Sequence, residues 1–311
     1  MQKTVSIKDL IRKDNNKNKL KMGVEKTVPF LLFALASISI LTTVGIVSTL
    51  LYETFLFFRD VSIIEFFTNT EMKPLSRVEP SFSILPLLSG TVLISLVAML
   101  VAIPIGLTTA IYLSEYASVN VRKAVKPVIE VLAGIPTIVY GFFAFTFVTP
   151  LLREFIPALQ ATNALSPGIV MGIMIIPLVA SLSEDAMNSV PKAMREGALA
   201  LGATKLEVTM RVVIPAAISG IIASFVLGIS RAIGETMIVT IASGSSKNLT
   251  FDITQSMQTM TAYIVEVTSG DAGAGTTAYY SLYAVAFALF FFTLIMNMFA
   301  GYISRKYREA Y

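Results

Sequence analysis

The stretch from Thr27 to Tyr52 contains no charged side chain, and it is one of six long apolar segments that lie between the charges of this chain. An α-helix needs about 20 mostly apolar residues to cross the hydrocarbon of a bilayer. The candidate spans fall at about 28–51, 87–113, 131–151, 168–183, 216–242 and 279–303. Inside a bilayer only helices and closed barrels satisfy every backbone amide. No window alternates with period two over a strand of about ten residues, so the pattern predicts helices rather than a barrel. Composition agrees: 14% of the residues are charged and the mean hydropathy is +0.74, whereas soluble domains carry about 25% charged residues. Pro104, Pro136 and Pro177 lie inside three of the candidates, tolerable where neighbouring helices satisfy the freed backbone groups.

The chain has no cysteine, histidine or tryptophan. That removes zinc ligation by thiolate or imidazole, disulfides, cysteine nucleophiles and histidine acid–base chemistry, and no metal site is expected. With only one buried carboxylate expected, the parts of a membrane-embedded enzyme are missing. Residues 1–26 carry eight basic and three acidic side chains and are expected as a disordered cytoplasmic tail. The first span, 27–56, is too long for the apolar core of a signal peptide and reads as uncleaved. With the N-terminus assigned to the cytoplasm, the cytoplasmic segments hold eighteen Lys and Arg against five outside, which predicts both termini inside. The expected order is then an outer loop at 57–86, a five-helix core over 87–304 with a long cytoplasmic loop at 184–214, and a cytoplasmic tail at 305–311. Membrane lipid is the expected environment, with no nucleic-acid partner.

The loop contains "SVPKAMREGALALGATKLEVTMRVVIP" (189–215). Ser189 or Asn188 can cap a helix that begins near Pro191. Gly202 sits where that helix would end in a left-handed residue. Thr204 and Glu207 have the spacing of a capping box for a second short helix leading to Pro215. Met194, Ala198 and Leu201 fall on one face. The hairpin reads either as an amphipathic element on the lipid surface or as a knob that docks in another protein. Elsewhere, "GDAGAGTT" follows no strand and reads as a flexible loop, and nothing matches the phosphate-cradling G-x-x-x-x-G-K-[ST] loop. The chain is therefore expected to lack its own nucleotide site. Ser183, Glu184 and Asp185 are expected as a solvated face, with contact to another subunit as the alternative. Gly134, Pro136 and Gly141 permit either a kink or close packing.

"GISRAIGETMIV" (228–239) places Arg231 and Glu235 in one of the most apolar regions, where a charge costs about 3 kcal/mol even on a lenient insertion scale. Four residues apart on a helix, the two would share a face, and Gly228, Ser224 and Gly220 continue it backwards. Such a stripe belongs to a bundle interior, a helix–helix contact or a polar pathway. Either the two charges form an internal ion bridge, or Arg231 offers its planar fork to an anion while Glu235 holds it or is displaced from it.

Two sets of residues carry a family resemblance. In the loop that includes Arg195, Glu196-Gly197-Ala198, then Gly202, then Val212, Ile214 and Pro215 resemble the E-A-A signature of bacterial ABC importer permeases, with Gly197 in place of its first alanine, Val212 in place of its isoleucine and Ile214 in place of its leucine. "GISRAIGETMIV", together with "IPIGLTTAIYLSEYA", "KPVIEVLAGIPTIVYGFF" and "MIIPLVASLSEDAMNSVP", is similar to the phosphate permeases of that class. "FFRDVSIIEFFTNTEMKP" resembles the outer loop of their PstC-type subunit. The sulfate and molybdate permeases share the coupling loop and sometimes R-A-[IL]-G-E.

The resemblance implies an all-α, six-helix type I importer permease, and a coupling helix seated in an ATPase subunit. It also implies a homologous second permease of the PstA type, two ATPases that bind ATP and magnesium, and an extracytoplasmic phosphate-binding protein. Arg231, Glu235, Ser224 and Gly228 would then lie along the substrate pathway. An anion channel or a transporter not driven by ATP would leave the coupling loop unexplained.

Overall fold

The computed structural model of the chain describes residues 7–74, 76, 80–270 and 272–306. Among these residues the structure is all-α, and six helices are long and apolar enough to span a membrane: Thr27–Asp60, Leu85–Tyr116, Thr137–Phe155, Leu165–Asn188, Lys205–Ile233 and Thr277–Phe299. The chain divides into two compact units, one up to Tyr52 and one from Glu53 onward.

The first unit is most of α1 (Ile7–Asp60). The helix begins within residues 1–26, the segment expected as a disordered tail, and its backbone continues through residues 7–26 into the span; residues 1–6 lie outside the described residues. Lysine, leucine and arginine are good helix formers, and no proline precedes Pro29. In the span, Ser37, Thr42, Thr43 and Thr49 donate their hydroxyls to carbonyls four residues back. That removes the cost of a bare hydroxyl in an apolar setting.

In the second unit, α2 (Ile63–Thr68) follows the end of α1. Phe57, Phe66 and Phe82 pack edge to face at centroid distances of 5.5 Å and 5.4 Å around Phe57. The expected outer loop thus carries a short helix and an aromatic core. Its Glu71 forms a bridge with Asn248 of the segment before α12 (Met260–Ser269).

The bundle is built on α3 (Leu85–Ile111) and α7 (Leu165–Asn188). Gly168 and Gly172, one turn apart, allow this contact. A Cβ on Gly168 would lie 2.6 Å from Val97 Cγ1, and one on Gly172 would lie 2.7 Å from the Ala98 carbonyl oxygen. Small residues at that spacing let helix backbones approach.

Between these two helices lie α4 (Val119–Gly134), α5 (Thr137–Phe143) and α6 (Thr149–Phe155). The candidate span at 131–151 does not start where expected. Ile135 is extended, with φ −69° and ψ 129°, because the residue before a proline is pushed out of the helical region. Pro136 therefore separates amphipathic α4 from the spanning part, whereas Pro104 and Pro177 remain inside continuous helices.

The chain then forms α8 (Lys192–Ala200), α9 (Lys205–Val208) and α10 (Ile214–Ile233), followed by α11 (Met237–Ala242), α12 and α13 (Thr277–Lys306). Two prolines come just after wide, five-residue turns. Before Pro150 the Thr149 N–H reaches back to Ala144, and before Pro215 the Ile214 N–H reaches back to Thr209. Proline supplies no N–H, and its ring crowds the carbonyl four residues back; the wider turn moves that carbonyl away. Most of the C-terminal tail, 307–311, lies outside the described residues.

Candidate functional site

Arg231 is in the last turn of α10, and its side chain is exposed. It does not pair with Glu235. The helix ends at Ile233, Gly234 follows as its cap, and a new helix starts at Met237. The shared helical face expected for the two charges is therefore absent. One carboxylate oxygen of Glu235 instead accepts hydrogen bonds from the backbone N–H groups of Thr236 (3.1 Å), Met237 (3.0 Å) and Ile238 (3.4 Å). These are the orphan donors at the head of α11, and a carboxylate is favoured there by both hydrogen bonding and the helix dipole. Thr261 donates its hydroxyl to the Glu235 carbonyl at 2.7 Å, tying the break to α12. Glu235 is 8% exposed.

Ser224 and Gly228 are buried, and neither is in the lining of the cavity described below. The Ser224 and Ser183 hydroxyls are 2.8 Å apart, and both residues are buried. A Cβ on Gly228 would lie 3.1–3.4 Å from Met99, Ile175 and Val179, and one on Gly220 would lie 2.5 Å from the Ala186 Cβ. Of the readings open for the small-residue stripe, the structure realises a helix–helix contact between α10 and α7.

Past that contact, Arg231 reaches a cavity of about 210 Å³. Its polar and charged lining is Arg231, Lys126, Glu130, Ser181 and Glu184; the remaining walls are apolar, among them Leu113, Met174 and Pro177. A cavity of about 150 Å³ is enough to hold benzene, so this one has room for a small oxyanion. Among the described residues Arg231 forms no ion pair or hydrogen bond, so its donors are available to a ligand.

One end of this cavity is formed by a network that the sequence reading missed. Glu184, expected on a solvated face, is 1% exposed and pairs with Arg122 and, at 3.5 Å, with Lys126. Asn188 donates to the same carboxylate at 3.5 Å. Ser183 is buried too, and only Asp185 of that trio keeps an exposed side chain. The available signal was the spacing of Arg122 and Lys126, which puts both cations on one face of α4.

The α8–α9 hairpin has the expected turn and cap. Gly202 has φ +87°, and Thr204 and Glu207 form the reciprocal capping box. Two details differ. Pro191, not Ser189 or Asn188, occupies the N-cap of α8, and the Ser189 hydroxyl turns back to the Ala186 carbonyl. Leu201 does not share the inward face of Met194 and Ala198: those two pack on a core with Met187, Val190 and Val208, while Leu201 is 90% exposed. At the turn the helical register ends, so the i+3 spacing no longer places it inward. Arg195 faces inward, donating to the carbonyls of Met187 (2.6 Å) and Val190 (2.7 Å) and pairing with Glu115 at 3.1 Å. Glu196, Gly197 and Pro215 are exposed. Gly141 packs closely on α11, its Cβ position 3.2 Å from the Ile238 Cα.

The profile of the family described as the inner membrane component of binding-protein-dependent transport systems matches residues 102–309. The chain is 32% identical over 246 residues to the probable ABC transporter permease protein YqgH of Bacillus subtilis (strain 168), covering 79% of each. It is 34% identical over 257 residues to the phosphate transport system permease protein PstC of Xylella fastidiosa (strain 9a5c), covering 76% of this chain and 77% of that one. Among solved structures, a bacterial ABC transporter involved in the import of the acidic polysaccharide alginate has a chain with TM-score 0.64 and 16% identity, covering 92% of this chain and 99% of that one. At that identity the likeness speaks to the fold: six spanning helices in the type I ABC importer arrangement. With its family profile, its relatives and its helical bundle in agreement, this chain belongs to the binding-protein-dependent transport system inner membrane components, the permease subunits of bacterial ABC importers.

Proposed function

We propose that this chain is the PstC-type permease subunit of an ATP-driven importer of inorganic phosphate. One observation carries the reading: at the end of α10, whose other residues carry no charge, a guanidinium with no ion pair or hydrogen bond among the described residues opens on a cavity of about 210 Å³. A charge in such a setting is functional by default, and the planar fork of arginine matches an oxyanion. The names of relatives such as PstC of Xylella fastidiosa support phosphate as the oxyanion.

In this reading both termini are cytoplasmic, and the α8–α9 hairpin is the coupling helix. Its exposed tip, including Leu199, Leu201 and Leu206, docks in an ATPase subunit. The energy comes from two such ATPases that hold ATP and magnesium, since this chain has no phosphate-cradling loop of its own. A homologous PstA-like permease completes the pathway, and an extracytoplasmic phosphate-binding protein delivers the ion. Arg231 lowers the barrier for the anion without binding tightly, because conduction requires release. Glu235 acts on the pathway by ending α10 where Arg231 meets the cavity. Rocking of the two permeases against each other alternates access.

Vesicles containing the complete complex and the loaded binding protein take up labelled phosphate in preference to sulfate. Arg231→Ala abolishes uptake while the complex still assembles. Undiminished uptake by that variant, or equal uptake of sulfate by the parent complex, would overturn the assignment.

A further inference from the structure

The cavity reached by Arg231 has a second cation at its other end. Gly220 faces Ala186, Ser224 contacts Ser183, and Gly228 abuts Ile175 and Val179. Helices α10 and α7 therefore run antiparallel, and Arg231, nearly a turn beyond Gly228, stands level with Met174. Both Met174 and Glu184 line the cavity; ten residues of helix separate them, about 15 Å. Lys126 lines the cavity as well and sits against Glu184.

The two cations on Glu184 are held differently. Arg122 forms a close pair with one carboxylate oxygen, which also accepts from Asn188, and Arg122 is not part of the cavity wall. The Lys126 ammonium stands 3.5 Å from the other oxygen and 3.6 Å from Asp185. Direct N–H···O bonds are about 2.7–3.2 Å, so Lys126 is attracted by charge without being fastened. If Lys126 turns away, buried Glu184 still keeps Arg122 and is not left uncompensated.

We propose that Lys126 is a second anion station, at the end of the cavity opposite Arg231. An oxyanion leaving Arg231 is received by the Lys126 ammonium, which turns to it from Glu184 and Asp185. Those carboxylates then compete for the ammonium and release the anion. A compact charge on a flexible four-carbon stem suits such an exchange better than a fork that binds two oxygens at once. This inference rests on the oxyanion-permease reading and adds a residue to its path.

The test uses the assembled complex in vesicles, with labelled inorganic phosphate as the probe and the loaded binding protein varied. Lys126→Gln is expected to lower kcat for uptake about tenfold, the loss of one charge-assisted contact, with KM for the loaded binding protein unchanged and stimulated ATP hydrolysis retained. Lys126→Arg restores most of the rate, whereas Arg122→Gln lowers thermal stability. Normal uptake by Lys126→Gln beside an inactive Arg231→Ala would remove the second station and leave the phosphate pathway standing. Equal losses of stability in Lys126→Gln and Arg122→Gln, with no rescue by arginine, would make Lys126 a brace and overturn the proposal. Normal uptake by Arg231→Ala would remove the pathway reading and the station with it.

Discussion

At the scale of single residues, two charges that are neighbours in sequence have separate tasks. Glu235 satisfies three backbone N–H groups at the head of α11 and does not pair with Arg231. Capping contacts of this kind contribute about 0.5–2 kcal/mol. Glu235→Ala is therefore expected to lower the thermal unfolding temperature of the purified complex, while Glu235→Gln, whose amide oxygen can still accept, lowers it less. Phosphate uptake follows the same order. Complete loss of uptake in Glu235→Gln without loss of stability would mean that the negative charge, rather than the cap, matters. The sequence contained the sign of the break, since Gly234 is a common residue at a helix end. It was obscured because the apolar run continues to Ala242, and periodicity alone carries a helix through it. The burial of Glu184 had no comparable local sign. It depends on α4 bringing Arg122 and Lys126 alongside, which is tertiary information.

At the scale of elements, the legible parts are those whose physics is local. The Gly202 turn and the Thr204–Glu207 box depend on residues within three positions of one another, and both appear as the spacing predicts. Nothing lies within 4 Å of a Cβ placed on Gly202, so a substitution there meets backbone strain and no clash. Gly202→Ala is expected to destabilise the hairpin by about 1–2 kcal/mol, with Gly202→Asn milder because asparagine tolerates the left-handed region. Thermal unfolding of the two variants checks the order, and equal melting would remove the strain argument. The third candidate span teaches the converse. Pro136 marked the break at Ile135, yet the absence of charge over 131–152 suggested one uninterrupted helix. Hydropathy reports what a segment can be buried in, and not where its hydrogen-bonding ladder stops.

For the whole molecule, six spans were readable because bilayer thickness sets helix length directly. Their arrangement around α3 and α7 was not readable, since it depends on which glycines meet which neighbours. Orientation rests on charge counts, and the absence of native cysteine permits a clean test. In sealed vesicles, Leu201→Cys at the hairpin tip is expected to react with a membrane-impermeant maleimide only from the cytoplasmic side. Phe251→Cys, also exposed, reacts only from the outside. Labelling of both from one side would refute the topology.

Arg195 gives the α8–α9 hairpin more than one attachment. Through this one guanidinium the hairpin grips the Met187 and Val190 carbonyls and the Glu115 carboxylate, besides continuing in sequence into α10. A thrust on the tip therefore spreads into three membrane-crossing rods together, as load does in a braced truss. Under the importer reading proposed above, such a frame would swing as a block rather than flex at one strut, and the hinge would fall at the seam with the second permease.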